Sequence, residues 1–258
     1  MAAIRHFLSP SRYKIIFILC WLLYSIVAVL QNRFDVMAIG INLLWPMVLF
    51  YLLGCSFVSA SRTSRPLFRE WQLIAAGVSL AALDHASKIA VIILLPVGES
   101  LPVVLNRLHL VQVHNVTGSW IFATLGSAPV VLPAFVLSVI LLLCAPLFFR
   151  FYSVNHRQSF WSSLAFVCLV ACSLSNATDL GFRGYVVDYL YIPGLFAADF
   201  KDLLSEIVVA SALIEALDNP RVSFRWNGWR DEFGDLLDFA RRIFRFAASE
   251  LLRFRRSL

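Results

Sequence analysis

Six apolar runs, each about long enough to cross a membrane, constrain this chain most. A helix needs about 20 apolar residues to span the hydrocarbon layer. The runs cover residues 14–30, 38–58, 72–97, 130–149, 160–175 and 203–217. A chain with 60% apolar residues and a mean hydropathy of +0.77 has more hydrophobic surface than one soluble core can bury. The sequence therefore predicts an all-α polytopic membrane protein with about six transmembrane helices and small extracytoplasmic elements.

Basic residues alternate in density between the loops on the two sides of the predicted spans. Seventeen lie on the side that holds both termini, and four lie on the opposite side: Arg33, Arg107, Arg183 and Lys201. Cytoplasmic loops carry the excess of positive charge, so both termini should be cytoplasmic. Residues 98–129 and 176–202 should then face outward. The first run lacks a following small-residue cleavage site, and we expect it to remain as a mature helix.

The net charge of +6 reflects mostly this asymmetry. No basic groove with interleaved aromatic residues is visible, so we expect no nucleic-acid partner. All five cysteines lie inside predicted spans, where they act as small apolar residues. Cys168 and Cys172 are four residues apart without a histidine partner, and we expect no metal there. The sequence therefore predicts neither a metal nor another cofactor.

Three regions are predicted along the chain. Residues 1–68 form a two-helix N-terminal membrane extension, residues 69–220 form a four-helix core, and residues 221–258 form a basic tail. In the tail, apolar residues recur at helical spacing and arginines cluster between them, which predicts an amphipathic helix lying on anionic lipid. The alternative is a helix that packs on the bundle or on a soluble partner.

Acidic residues between the last two spans are the strongest functional signal. They include Asp179, Asp188, Asp199 and Asp202. A charged side chain at membrane depth costs about 3 kcal/mol unless it is paired, hydrated or protonated, and so indicates function by default. These carboxylates, with the nearby Asn176, therefore indicate a catalytic site.

Two further elements place polar groups near this site. On the third span, Asp84 and Lys88 are four residues apart, so they share a helix face and can pair. They either shape the site or merely neutralise each other. In the outer loop, Asn115 precedes Gly118, and its side-chain amide can bond a peptide backbone through both donor and acceptor. An ordinary turn is the alternative, because both are turn residues.

Asp188 and Asp202 suit general acid–base chemistry. Two carboxylates in close contact share a proton, as in aspartic proteases. One then takes a proton from the attacking water, while the other stabilises the oxyanion and protonates the leaving amine. The chain has no His-Glu-x-x-His and no Gly-x-Ser-x-Gly, which argues against zinc and serine mechanisms.

The order of these elements resembles the lipoprotein signal peptidase family, signal peptidase II, over roughly residues 72–217. Asp84 to Lys88 resembles its Asp-x-x-Ser/Thr-Lys element, and Asn115 with Gly118 resembles Asn-x-Gly with the glycine one residue late. The other three elements are Asn176 to Asp179 for Gly-Asn-x-x-Asp-Arg, Gly184 to Asp188 for Gly-x-Val-Val-Asp, and Asp199 to Asp202 for Asn-x-Ala-Asp.

The resemblance implies a membrane aspartic endopeptidase that cleaves diacylglyceryl-modified prolipoproteins just before the lipidated cysteine. Asp188 and Asp202 would form the catalytic pair of a monomer in the bacterial inner membrane. Supporting or substrate-positioning roles would fall to Asp84, Lys88, Asn115, Asn176, Asp179, Arg183 and Asp199. Asp199 is the alternative second acid. We prefer Asp202 because it directly precedes the last span, whereas choosing Asp199 would push Lys201 and Asp202 into that helix.

Three departures from the family pattern affect the expected function most. Ser175 replaces a glycine, Leu180 replaces an arginine, and Asp199 replaces an asparagine. Arg183 can supply the guanidinium group that Leu180 lacks. Two other functions therefore stay open. One is a catalytically inactive homologue that binds lipoprotein. The other is a proton or solute transporter whose path is lined by Asp84, Lys88, Asp179 and Glu206, although the paired halves and broken helices of transporters are not visible.

Overall fold

The computed structural model describes residues 7–30, 36–63, 68–104, 107–116, 131–156, 158–193, 196–219, 241–243 and 245–249. Its six long helices are α1 (Arg12–Leu30), α2 (Val36–Thr63), α3 (Glu70–Leu94), α4 (Val131–Asn155), α5 (Phe160–Phe182) and α6 (Phe200–Asp218). Its strands are β1 (Ser100–Val104), β2 (Leu108–Asn115), β3 (Val186–Ile192) and β4 (Phe196–Ala198).

Four helical segments among the described residues are long and apolar enough to cross a membrane. They are Leu44–Arg62 within α2, Glu70–Leu94, Val131–Asn155 and Phe160–Phe182. The chain is therefore a polytopic membrane protein. Helix α6 is not one of the four, because five charged side chains lie along its 19 residues. The predicted total of six spans thus stays a prediction.

Helix α5 is the central helix of the bundle, with α3, α4 and α6 packed around it. It begins at Ser159, whose hydroxyl accepts a 3.0 Å hydrogen bond from the Ser162 amide. Such a capping residue satisfies an amide that the helix leaves unpaired. Helix α3 approaches α5 closely at Gly77, where a Cβ would lie 2.8 Å from the side chain of Val170. Only a residue without a side chain fits this contact.

The two N-terminal helices pack on the rest of the bundle. Helix α1 contacts α2 and α6, and its buried Phe17 lies beside Trp161 of α5. Apolar residues of α1, α2, α5 and α6 form one continuous core. The predicted division at residue 68 stays a prediction, but the helices before it contact those after it.

A four-stranded antiparallel sheet joins the loop after α3 to the loop after α5, in the order β1-β2-β3-β4. The expectation of an all-α fold is wrong in this respect. β-branched and aromatic residues in Val186–Ile192 favour a strand, and pairing with β2 supplies the partner that makes it one. In the register, Asn115 faces Val186 and Val113 faces Asp188.

The described part of the basic tail is helical at residues 241–243 and 245–249. The ring of Phe246 lies 5.5 Å from that of Phe151 in α4. The tail therefore contacts the bundle at Phe246, which agrees with the alternative prediction of a helix that packs on the bundle. The rest of the predicted tail helix lies outside the described residues, so its position on lipid stays a prediction.

Candidate active site

Three carboxylates meet where β3 passes the start of α6. One oxygen each of Asp188, Asp199 and Asp202 lies within 4.8 Å of the other two. Strand β3 carries Asp188, while the short β4 returns the chain so that Asp199 ends next to it. The sheet therefore brings together acids that are eleven and fourteen residues apart in sequence.

Asp188 is buried, with 4% of its surface exposed. Its Oδ2 accepts a 2.9 Å hydrogen bond from the side-chain amide of Asn115, and its Oδ1 has no hydrogen-bond partner among the described residues. Burial raises the pKa of Asp188 to about 8, although the nearby Lys201 acts in the opposite direction. At neutral pH this carboxyl group therefore holds a proton and has one oxygen available.

Asp199 is fully buried and ionised. Its Oδ2 lies 2.7 Å from the ammonium group of Lys88 and 2.8 Å from that of Lys201, and its Oδ1 accepts the Asp202 amide at 3.1 Å. Burial alone would raise the pKa of Asp199, but Lys201 and Lys88 bring it below its ordinary value. Both oxygens are engaged, and Asp199 caps α6.

Asp202 is the accessible member of the cluster, with 51% of its side chain exposed. Its Oδ2 accepts a 3.1 Å hydrogen bond from the Asp199 amide, and its Oδ1 lies 3.5 Å from the nitrogen of Lys201. We expected Lys201 and Asp202 to precede the last helix, and this was wrong, because α6 begins at Phe200. A carboxylate in the first turn faces the positive end of the helix dipole, which offsets part of its cost.

A second network of charges surrounds Lys88. Its nitrogen lies 2.5 Å from Asp84, 2.6 Å from Asp179 and 2.7 Å from Asp199, and all four side chains are fully buried. The expected pair of Asp84 and Lys88 is present, but Lys88 also ties α3 to α5 and to the cap of α6. Buried charges of this kind are stable only when each is paired.

The predicted fifth span was too short, because α5 continues past Ser175 to Phe182. Asn176 and Asp179, expected in the outer loop, lie in its final turns. The amide of Asn176 donates a 2.7 Å hydrogen bond to Ser138 of α4, so the structure does not join it to the three acids. The polar residues at this end of α5 are paired inside the bundle, which allows the helix to continue.

Two of the departures from the family pattern, Ser175 and Asp199, lie in the Lys88 network. The hydroxyl of Ser175 donates to Asp84, and Lys88 lies 3.4 Å from it. Leu180 is buried and supplies no charge, but Arg183, one turn below Asp179, donates to that carboxylate. Arg183 therefore provides Asp179 with a guanidinium group, although Leu180 stands where the family has arginine. Gly118, the expected partner of Asn115, lies outside the described residues.

Sequence reasoning gave no role to Lys201, although it contacts both Asp199 and Asp202. Its signal was a lysine between two aspartates directly before an apolar span. Two acid clusters among the described residues have spacing compatible with a cation: Asp84, His85 and Asp179, and Asp188, Asp199 and Asp202. In each, a lysine ammonium group already supplies positive charge.

The family that matches the chain agrees with these elements. The sequence profile of the family described as signal peptidase (SPase) II matches residues 74–217. Two solved structures, both bacterial membrane enzymes determined by the in meso method at 2.3 and 1.9 Å resolution, align with TM-scores of 0.49 and 0.48. They share 18% and 19% identity over 61% and 57% of this chain and 94% of each structure. No curated protein matches the chain.

Proposed function

Because the chain belongs to the signal peptidase II family, we propose that it is a membrane aspartic endopeptidase that cleaves lipid-modified prolipoproteins. Its substrate would be a prolipoprotein whose cysteine carries diacylglyceryl, cut just before that cysteine. The observation that carries the proposal is the acid cluster, in which one oxygen of the buried Asp188 lies within 4.8 Å of one oxygen of the accessible Asp202.

The two carboxyl groups divide the chemistry between them. The pKa of Asp202 is raised only to about 6, so at neutral pH this half-exposed carboxylate is mostly ionised. It takes a proton from water as the water oxygen attacks the scissile carbonyl carbon. Asp188 uses its proton to stabilise the developing oxyanion and then delivers it to the leaving amine. The hydrogen bond from Asn115 holds Asp188 through Oδ2, and the buried Oδ1, which has no partner among the described residues, is the oxygen left to bond the substrate.

The surroundings of the two side chains favour Asp202 over Asp199 as the second acid, wherever α6 begins. A base must reach water and have a lone pair to receive a proton, and Asp202 is half exposed. Asp199 is buried between two lysines with both oxygens engaged. It also occupies the capping position, where the family pattern has asparagine, and both residues cap helices well.

The membrane location fits the substrate. We place the protein in the bacterial cytoplasmic membrane, with both termini inside and the acid cluster at the outer face, as the basic residues indicate. The two loops assigned to the outer side meet in one sheet, as loops on the same side can. The apolar bundle would hold both the signal helix and the acyl chains beside the acids.

Cleavage by the purified protein tests the proposal. Wild type in detergent should cut a diacylglyceryl-modified prolipoprotein before the modified cysteine, and the Asp188→Asn and Asp202→Asn variants should lose at least about a thousandfold in rate. The matched Asp199→Asn variant keeps the cap and should stay within about tenfold of wild type.

Two outcomes would contradict the proposal. A folded wild-type protein that binds the prolipoprotein without cutting it would indicate the inactive, binding homologue. Loss of cleavage in Asp199→Asn with retention in Asp202→Asn would keep the peptidase but exchange the second acid.

A further inference from the structure

Lys201 is an unusual residue for its position. It lies in the first turn of α6, where the helix dipole disfavours a cation, and only 11% of its side chain is exposed. Its nitrogen lies 2.8 Å from Oδ2 of Asp199 and 3.5 Å from Oδ1 of Asp202. Both the burial and the dipole oppose its charge, so the adjacent carboxylates must hold it there.

Lys201 and Asp199 both depart from the family pattern. In the Asn-x-Ala-Asp pattern, Asp199 stands for the asparagine and Lys201 for the alanine. One change adds a negative charge, the other adds a positive charge, and the two groups are in contact. The pair leaves the net charge of the cluster unchanged while placing a cation beside the second acid.

Resting on the proposed function, we propose that Lys201 is a positioning residue of the catalytic pair: its ammonium group keeps Asp202 ionised and thereby assigns the transferable proton to Asp188. Asp199 holds Lys201 in place at 2.8 Å. Without the cation, two close carboxyl groups share one proton and neither has a fixed role. With it, the base and the acid are defined before substrate arrives.

Other charged and titratable groups act on the same pair and set the background for any test. Lys88 of α3 neutralises Asp199 from the other side. The thiol of Cys172 on α5 donates to the Lys201 carbonyl at 3.3 Å. Among the described residues, Asn115 also bonds Asp188, and Glu206 lies one turn along α6 from Asp202.

The pH dependence of kcat/KM tests the proposal, because each variant should shift the profile in a direction that a merely structural role would not produce. Lys201→Met removes a positive charge, so both carboxyl groups hold protons more tightly and both limbs of the profile should move up by about one pH unit. Asp199→Asn removes a negative charge and should move both limbs down. The double variant should return close to wild type, as should Lys201→Arg.

Infrared titration of the carboxyl C=O band gives a readout that needs no activity. In wild type, the band of protonated Asp188, identified by its loss in Asp188→Asn, should persist at neutral pH, and Lys201→Met should shift its titration upward. If Lys201→Met does not fold, the wild-type spectrum and the Lys201→Arg and double variants still decide.

Any of three results would overturn the proposal. The limbs and bands of Lys201→Met could stay unshifted, or both single variants could shift in the same direction. The third is a wild type whose two carboxyl groups titrate together. A folded wild type that does not cleave would contradict the proposed function alone, because the infrared titration would still locate the proton.

Discussion

The ammonium nitrogen of Lys88 lies 2.7 Å from Oδ2 of Asp199, and both side chains are fully buried. This ion pair joins the middle of one helix to the residue that caps another. It therefore fixes the start of α6, and with it Asp202, relative to α3. Because Asp84 and Asp179 also contact Lys88, one cation offsets three carboxylates.

Replacing Lys88 with methionine should destabilise the protein strongly. The variant leaves buried carboxylates without their shared cation, which typically costs about 3 to 5 kcal/mol. Thermal unfolding in detergent measures the effect. Arg150→Met is the matched control, since Arg150 is half exposed and 3.7 Å from Glu70, and such surface pairs contribute at most about 1 kcal/mol. Equal losses in the two variants would show that the Lys88 network does not hold the bundle together.

The sequence predicted the pair of Asp84 and Lys88 because spacing of four residues is a local property of a helix. It could not predict that Asp179 and Asp199 share the same cation, since these contacts join residues about 90 and 110 positions away. Hydropathy ended the fifth span at Ser175 for a related reason. Polar residues look like loop until their partners inside the bundle are known.

The sheet and the acid cluster also depend on contacts between residues far apart in the sequence, which the sequence alone does not reveal. Strand β3 contains residues that favour strands, but a strand is defined by its partner, and β2 lies over 70 residues earlier. The sequence predicted that Asp188 and Asp202 meet, through the family resemblance. It assigned the start of α6 wrongly because the charge on Lys201 looked too costly for a helix, and the offsetting acids were not visible.

Activity should fall as pH rises through about 8, where Asp188 loses its proton. The hydrogen bond from Asn115 favours the ionised form, so Asn115→Leu should move this alkaline limb to still higher pH. The pH dependence of kcat/KM measures both. His114→Phe is a suitable control, because His114 stacks on Tyr185 at 4.0 Å and phenylalanine keeps that contact. An alkaline limb that stays in place in Asn115→Leu would argue that this hydrogen bond does not reach the catalytic proton.

Adding one methyl group at Gly77 should loosen the contact between α3 and α5. The Cβ of Gly77→Ala would lie 2.8 Å from Val170 and 2.9 Å from the Val167 carbonyl, so the helices must separate. Overpacking of this kind costs about 1 to 3 kcal/mol. Ser79→Thr, which adds one methyl group on the exposed face of α3, should leave the unfolding temperature nearly unchanged. If both variants unfold at the wild-type temperature, the two helices are not in tight contact.

The N-terminal helices should act on stability rather than on catalysis. Phe17 of α1 is 1% exposed, and its ring lies 5.7 Å from Phe57 and 6.3 Å from Trp161. Phe17→Ala leaves a cavity in this core and should lower the free energy of unfolding by about 3 kcal/mol. Leu23→Ala is the control, because Leu23 is 64% exposed and its loss leaves no cavity. Below its unfolding temperature, Phe17→Ala should cleave prolipoprotein at the wild-type rate, since the rings that Phe17 packs on, Phe57 and Trp161, are not part of the acid cluster. A fall in kcat in the folded variant would instead indicate that α1 helps to shape the substrate site through α6, the helix that it covers.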